Sequence, residues 1–318
     1  MAAKRRIPWR EWLEEHPAAY AVAGLIALSA GLAIASERFF TWDNVSNIGR
    51  QVSINGIIAT GMTMVIITGG IDLSVGAVMT LAMTFGAGAM LAGMPVPLAV
   101  VLAVLTGLAF GAVNGVLIAY ARMPAIIVTL ATMEIPRGIA LLYTGGYPLT
   151  NLPGSFAPVG RGELLGVQIP TLIMMAVIFA GHLFLTRFVA GRALYAIGGN
   201  EEAAHLAGVP VRRYQLLAYS LSGLTAAIGG VVLASRLMSG QPNAGIGFEL
   251  DAIAAVVLGG TRIAGGRGSI IGTLVGALTL GVLNNGLNLM SVSPYTQKIL
   301  KGAIILLSVF ASVFRGKR

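Results

Sequence analysis

The residues best placed to do chemistry in this chain are few, and most of them are neutral. Five amides, Asn55, Asn114, Asn284, Asn285 and Asn288, fall inside or beside long apolar runs. One acid, Asp72, stands in Gly69-Gly70-Ile71-Asp72-Leu73-Ser74-Val75-Gly76, between the apolar stretches 52–68 and 77–92. Glu134 and Arg137 are three residues apart, the spacing of a helical ion pair. Neutral amides can hydrogen-bond a hydroxyl-rich solute without gripping it as charges would, which suits passing a cargo on rather than transforming it. Asn284 and Asn288 share a helix face and are the better placed pair. Each amide is equally suited to bonding between helices. Asp72 is suited either to capping a helix that begins near Ser74 or to lining a path or gate.

Reactive chemistry has little to work with. Cysteine is absent, which excludes thiol catalysis, cysteine-bound zinc and disulfides. His16, His182 and His205 are too scattered to suggest a metal site. Paired carboxylates, an activated nucleophile and a Gly-x4-Gly-Lys-Ser/Thr phosphate loop are all missing. The chain is therefore expected to be no enzyme and to hold neither cofactor nor metal. If ATP and Mg are involved, another subunit must bind them.

The elements that position these residues are dictated by composition. Hydrophobic residues make up 56% and charged residues 10%, with a mean hydropathy of +0.84. A soluble domain carries about 25% charged residues, so the expectation is an all-α polytopic membrane protein. Crossings are predicted at 18–36, 51–68, 75–93, 97–120, 124–143, 169–187, 214–235, 250–260, 269–290 and 296–314, about ten in all. An apolar run of 11 residues at 250–260 spans only about 16 Å, so it is predicted to be re-entrant or part of a discontinuous helix. The glycine-rich stretch 259–268 follows it. Residues 1–17 are expected to form an amphipathic stub at the membrane surface, 18–314 a single transmembrane domain, and 315–318 a basic tail.

Ten crossings put both termini on one side. Most of the 21 Lys and Arg residues, among them Arg187, Arg192, Arg212, Arg213, Arg262, Arg267, Arg315, Lys317 and Arg318, then fall on that side. The positive-inside rule makes it the cytoplasm. This bias also accounts for the net charge of +9 without nucleic-acid binding. Gly107, Gly111 and Gly115, and again Gly268, Gly272 and Gly276, recur every fourth residue, the spacing that lets helix backbones approach closely. A Gly-Gly break followed by an apolar helix occurs at 69–92 and at 259–283, which suggests a diluted internal repeat.

Residues 188–213 form the longest inner loop and carry a complete short-helix signature. Asn200 can cap the N-terminus, Glu201 and Glu202 favour the first turn, and Gly208 and Pro210 end it. A helix of two turns has little stability alone and gains order by docking on a partner.

Five blocks, GMTMVIITGGIDLSVG (61–76), MEIPRGIALLYTGG (133–146), ALYAIGGNEEAAHLAGV (193–209), ELDAIAAVVLGGTRIAGGRGSIIGTLVGAL (249–278) and GVLNNGLNLM (281–290), resemble the permease subunit of ribose-type sugar ABC importers, in one order over nearly the whole chain. The resemblance implies a bacterial inner-membrane protein working as a homodimer or with a related permease. It implies a double-domain ATPase docked inside and a periplasmic sugar-binding protein outside, which Glu249 and Asp251 could contact if they do not act as caps. Glu202-Ala203-Ala204-x3-Gly208 resembles the ATPase-contacting motif of importer permeases, although the Leu-Pro that follows it in other importers is absent, and Gly199, Asn200, Glu201, Glu202 and Gly208 are the expected coupling residues. Asn55, Asp72, Asn114, Asn284, Asn285 and Asn288 are the expected path residues. Rival functions are a permease of the same class for branched-chain amino acids or nucleosides, and an ion-coupled secondary transporter, for which Asp72 is the one strong coupling carboxylate.

Overall fold

A computed structural model describes residues 17–315, so the expected stub at 1–17 and the tail at 315–318 lie outside the described residues except for Pro17 and Arg315. Among the described residues thirteen α-helices run in the order α1 (Pro17–Ala35), α2 (Trp42–Ile67), α3 (Val75–Leu91), α4 (Val96–Ala119), α5 (Ala125–Thr144), α6 (Ala157–Arg161), α7 (Ile169–Arg187), α8 (Val189–Gly199), α9 (Glu201–Leu206), α10 (Val211–Leu237), α11 (Phe248–Leu258), α12 (Ile270–Leu289) and α13 (Pro294–Arg315). A two-residue hairpin, β1 (Glu163–Leu164) and β2 (Val167–Gln168), is the one sheet among the described residues.

Among the described residues six helices, α2, α4, α5, α7, α10 and α12, are long and apolar enough to cross a membrane, and α1 and α3 add shorter apolar helices. The described residues are mostly helical, as expected. Length and apolarity account for six of the expected ten crossings: α1 and α3 are shorter apolar helices, α11 has just 11 residues, and α13 is not among the six.

Apolarity on every face buries a helix, whereas a one-sided stripe leaves its back to solvent or lipid. α3 and the C-terminal half of α2 are buried almost throughout. α4 and α5 turn Leu98, Leu105, Val116, Ile127 and Leu142 outward. α10 lies at the centre, against α4, α2 and α3.

The predicted glycine seams are contacts between backbones. A Cβ at Gly111 would strike the Tyr219 carbonyl, and one at Gly107 would strike Gly223 and Ala227, so α4 and α10 meet without intervening side chains. Gly272 and Gly276 face Gly259 and Ala255 in the same manner, joining α12 to α11.

Three boundaries differ from expectation. α2 begins at Trp42 rather than near residue 51, because its polar first turns find partners: Asn44 and Asn285 exchange two amide bonds of 3.0 and 2.7 Å, and Arg50 bonds Asn47. α10 begins at Val211, ahead of the expected 214. The 188–213 loop holds two helices rather than one, since Gly191, Ala193, Leu194 and Ile197 of α8 give it a buried face of its own.

The irregular part of the eighth span lies before α11 as well as after it. The segment between α10 and α11 runs down the side of α3: Gly240 rests on Ala87, and Gly245 rests on Gly76 while its N–H bonds Thr80 Oγ1 at 3.0 Å. Ala87 to Gly76 is about 16 Å of helix, so α11 starts deep beside the bundle. The breakers Gly240, Pro242, Gly245 and Gly247 were the available signal, and Gly247 takes φ +91°.

Candidate functional site

The Gly69–Gly76 break turns the chain from α2 into α3. Gly69 adopts φ +85°, and Asp72 is only 1% exposed. Asp72 Oδ1 accepts from the Ser74 backbone N–H at 3.0 Å and from Ser74 Oγ at 2.6 Å. Its other oxygen accepts from Ser222 Oγ of α10 at 2.8 Å. Asn114 of α4 donates to Ser74 Oγ at 2.9 Å. The acid holds the turn that leads into α3 and ties it to α10; it bonds Ser74, which precedes the helix, rather than an N–H of the first helical turn, so it is not a helix N-cap of the expected kind. Asn114 Oδ1 and Tyr219 Oη are buried here without a partner among the described residues.

Among the described residues Asp72 and Asn114 meet through Ser74, whereas no two of the expected path amides are hydrogen-bonded to each other. Asn285 is buried against Asn44. Asn284 is half-buried one position along α12, and Asn288 is exposed and accepts from Gln297 Nε2 at 2.8 Å. Asn55 lies on α2 next to the start of α11, donating to the Asp251 carbonyl at 3.3 Å. Asp251 pairs with Lys301 of α13 at 2.9 Å, each side chain 25% exposed. Asn55 Oδ1 and Glu249 Oε2 are buried and unpaired among the described residues. Asn55, Asp251 and Lys301 were not legible as a group, because Asn55 and Asp251 lie 196 positions apart. Glu134 and Arg137 form the expected i,i+3 pair at 3.1 Å.

At the loop between α7 and α10 the local signature is realised. Asn200 is extended at φ −163°, and its side chain accepts from the Ala203 N–H at 2.9 Å. Glu201 and Glu202 are exposed in the first turn of α9, and Gly208 closes it at φ +82°. Ala204 packs with Ile197 of α8 and Val211 of α10 in a small separate core. Leu206 points outward, 81% exposed.

Residues 44–309 match the sequence profile of the family described as branched-chain amino acid transport system, permease component. The chain belongs to this permease family. Family members similar to it include the ribose import permease RbsC of Escherichia coli (strain K12), 47% identical over 311 residues that cover 96% of this chain and 95% of the relative. The ribose import permease RbsC of Bacillus subtilis (strain 168) is 48% identical over 288 residues, covering 90% and 89%. The xylose transport system permease XylH of Escherichia coli (strain K12) is 37% identical, covering 87% and 88%. No solved structure matches the chain.

Proposed function

We propose that this chain is the membrane-spanning subunit of an ATP-driven importer that passes ribose, or a pentose close to it, into a bacterial cytoplasm. The observation that carries this is the 47–48% identity to ribose import permeases along nearly the whole length of both chains, against 37% to the xylose permease. In this assignment α8 and α9 dock a double-domain ATPase. The opposite end, with the β-hairpin and the segment before α11, receives a periplasmic sugar-binding protein. Two copies, or one copy and a related permease, enclose the path.

Ten crossings follow if the segment before α11 and α11 together make one, with α1, α3 and α13 completing the set. Both termini then face the cytoplasm, in accord with the charge distribution. Asn55, Asn114, Asn284, Asn285 and Asn288 supply neutral hydrogen-bonding groups within the bundle, and a path of this kind releases its cargo readily.

The test is reconstitution in proteoliposomes with the cognate ATPase and binding protein. Ribose uptake should require ATP inside the coupled system, and xylose should compete weakly. Uptake driven by a proton gradient without ATP would overturn the assignment. So would transport of a branched-chain amino acid or nucleoside in place of any sugar.

A further inference from the structure

The two glycine breaks, distant in sequence, meet at one point, and α8 lies against both. The Gly266 N–H donates to the carbonyl of Ile67, the last residue of α2, at 2.9 Å. Gly198 of α8 sits on this bond: a Cβ there would strike both Ile67 O and Gly266 N. A Cβ at Gly265 would meet the Gly69 nitrogen and Gly198, and one at Gly266 would meet Gly199. Gly265 and Gly266 take φ +85° and +73°, which glycine adopts at little cost. One turn before Gly198, Tyr195 Oη donates to the Gly268 carbonyl at 2.9 Å. Burial pushes the Tyr195 hydroxyl pKa up, so it stays a donor at physiological pH.

Each break leads within a few residues into a helix. Gly69 and Gly70 precede Asp72 and the start of α3, and Gly268 precedes Ser269, whose Oγ accepts from Gly272 N–H at 3.0 Å to cap α12. α8 passes into α9 through Asn200 alone, with Ile197 and Ala204 packed together. Contacts made backbone to backbone have no rotamers to absorb a displacement, and close-packed interiors transmit strain.

We propose that Tyr195 and Gly198 are positioning residues for coupling: they clamp the two glycine breaks to α8, so that a push on α9 moves the starts of α3 and α12 together. This deepens the importer assignment and rests on it. Neither residue touches cargo or ATP in this scheme. They act through Ile67, Gly266 and Gly268.

The experiment compares the wild-type complex, reconstituted with its ATPase and binding protein, with Tyr195→Phe, Gly198→Ala and a control, Thr186→Val. Among the described residues Thr186 bonds only its own helix, at the His182 carbonyl. The readouts are sugar moved, ATP hydrolysed, and their ratio in complexes that co-elute with the ATPase. Tyr195→Phe should keep assembly and ATP hydrolysis while the ratio falls about threefold to tenfold, the equilibrium factor of one hydrogen bond. Gly198→Ala should lower it further, and Thr186→Val should leave it unchanged.

An unchanged ratio in Tyr195→Phe overturns the clamp, as does a loss of both activities in step with lost assembly. If Gly198→Ala does not assemble, the Tyr195→Phe ratio decides alone. Wild-type cargo is established first. A wild-type complex that carries another solute overturns the ribose assignment, while the ratio measured with that solute still decides the clamp.

Discussion

Asp72 and Ser222, 150 positions apart, are joined by a 2.8 Å hydrogen bond inside the bundle, and the same carboxylate holds the Ser74 N–H and hydroxyl. The turn into α3 and the middle of α10 therefore share one acceptor. Replacing it by a methyl group strands several buried donors at once, at about 1–3 kcal/mol for each buried group left unpaired. Asp72→Ala should lower the melting temperature of the purified protein clearly. Asp72→Asn, which keeps an oxygen for Ser74 and offers an N–H to Ser222, should stay near wild type. Thermal melts in detergent check this, and equal melting of the Ala variant and wild type would contradict the anchor role. Uptake by a stable Asp72→Asn variant then separates anchor from path: normal transport assigns the acid to structure alone.

The proposed docking of the ATPase on α9 gives a second prediction. Asn200→Ala removes a side-chain cap worth about 0.5–2 kcal/mol. Gly208→Leu forces a left-handed conformation costing roughly 1–2 kcal/mol. Both residues are exposed at the surface of the loop, so membrane insertion and the melting temperature of the bundle should change little. Co-purification with the ATPase should weaken, and Glu202→Lys should weaken it through charge alone. Normal ATP-driven uptake by all three variants would remove α9 from the coupling interface.

Glycine positions separate packing from tolerance. Gly111→Leu places a side chain on the Tyr219 carbonyl in the α4–α10 seam, whereas a Cβ at Gly138 of α5 meets nothing within 4 Å. Gly111→Leu should give no monodisperse protein on size exclusion. Gly138→Ala should match or exceed wild-type stability, since alanine is favoured over glycine in a helix by up to about 1 kcal/mol.

What the sequence revealed follows the range of the interactions involved. Asn200, Glu201, Glu202 and Gly208 were legible because a cap, a first turn and a left-handed exit are settled within nine residues. The glycine seams were legible from spacing, although the partners Gly223 and Gly259 were not. The first turns of α2 read as loop because Asn44 is a loop-like residue whose partner, Asn285, lies 241 positions away. The descent of the chain before α11 was invisible for a related reason. Irregular backbone has no hydropathy period, and its depth is set by α3, about 160 residues earlier. The meeting of Gly69, Gly198 and Gly266 is the extreme case: three glycines carry no side-chain signal of what they touch.

The Asp251–Lys301 pair gives the last prediction. It bridges α11 and α13 at 2.9 Å with both side chains three-quarters buried, and Asn55 holds the Asp251 carbonyl from α2. Breaking such a pair leaves one charge without its partner in a poorly solvated place, which is worse than removing both. Lys301→Met alone should therefore lower both the melting temperature and uptake, and Asp251→Asn alone should do the same. The double variant should recover much of the stability, because two neutral side chains need no counter-charge. Uptake then distinguishes two roles for the pair. If transport returns with stability, the pair serves packing between α11 and α13. If the stable double variant stays inactive, the charges themselves act in the transport cycle at the start of the half-length helix. Single variants that melt and transport like wild type would show that the pair contributes to neither.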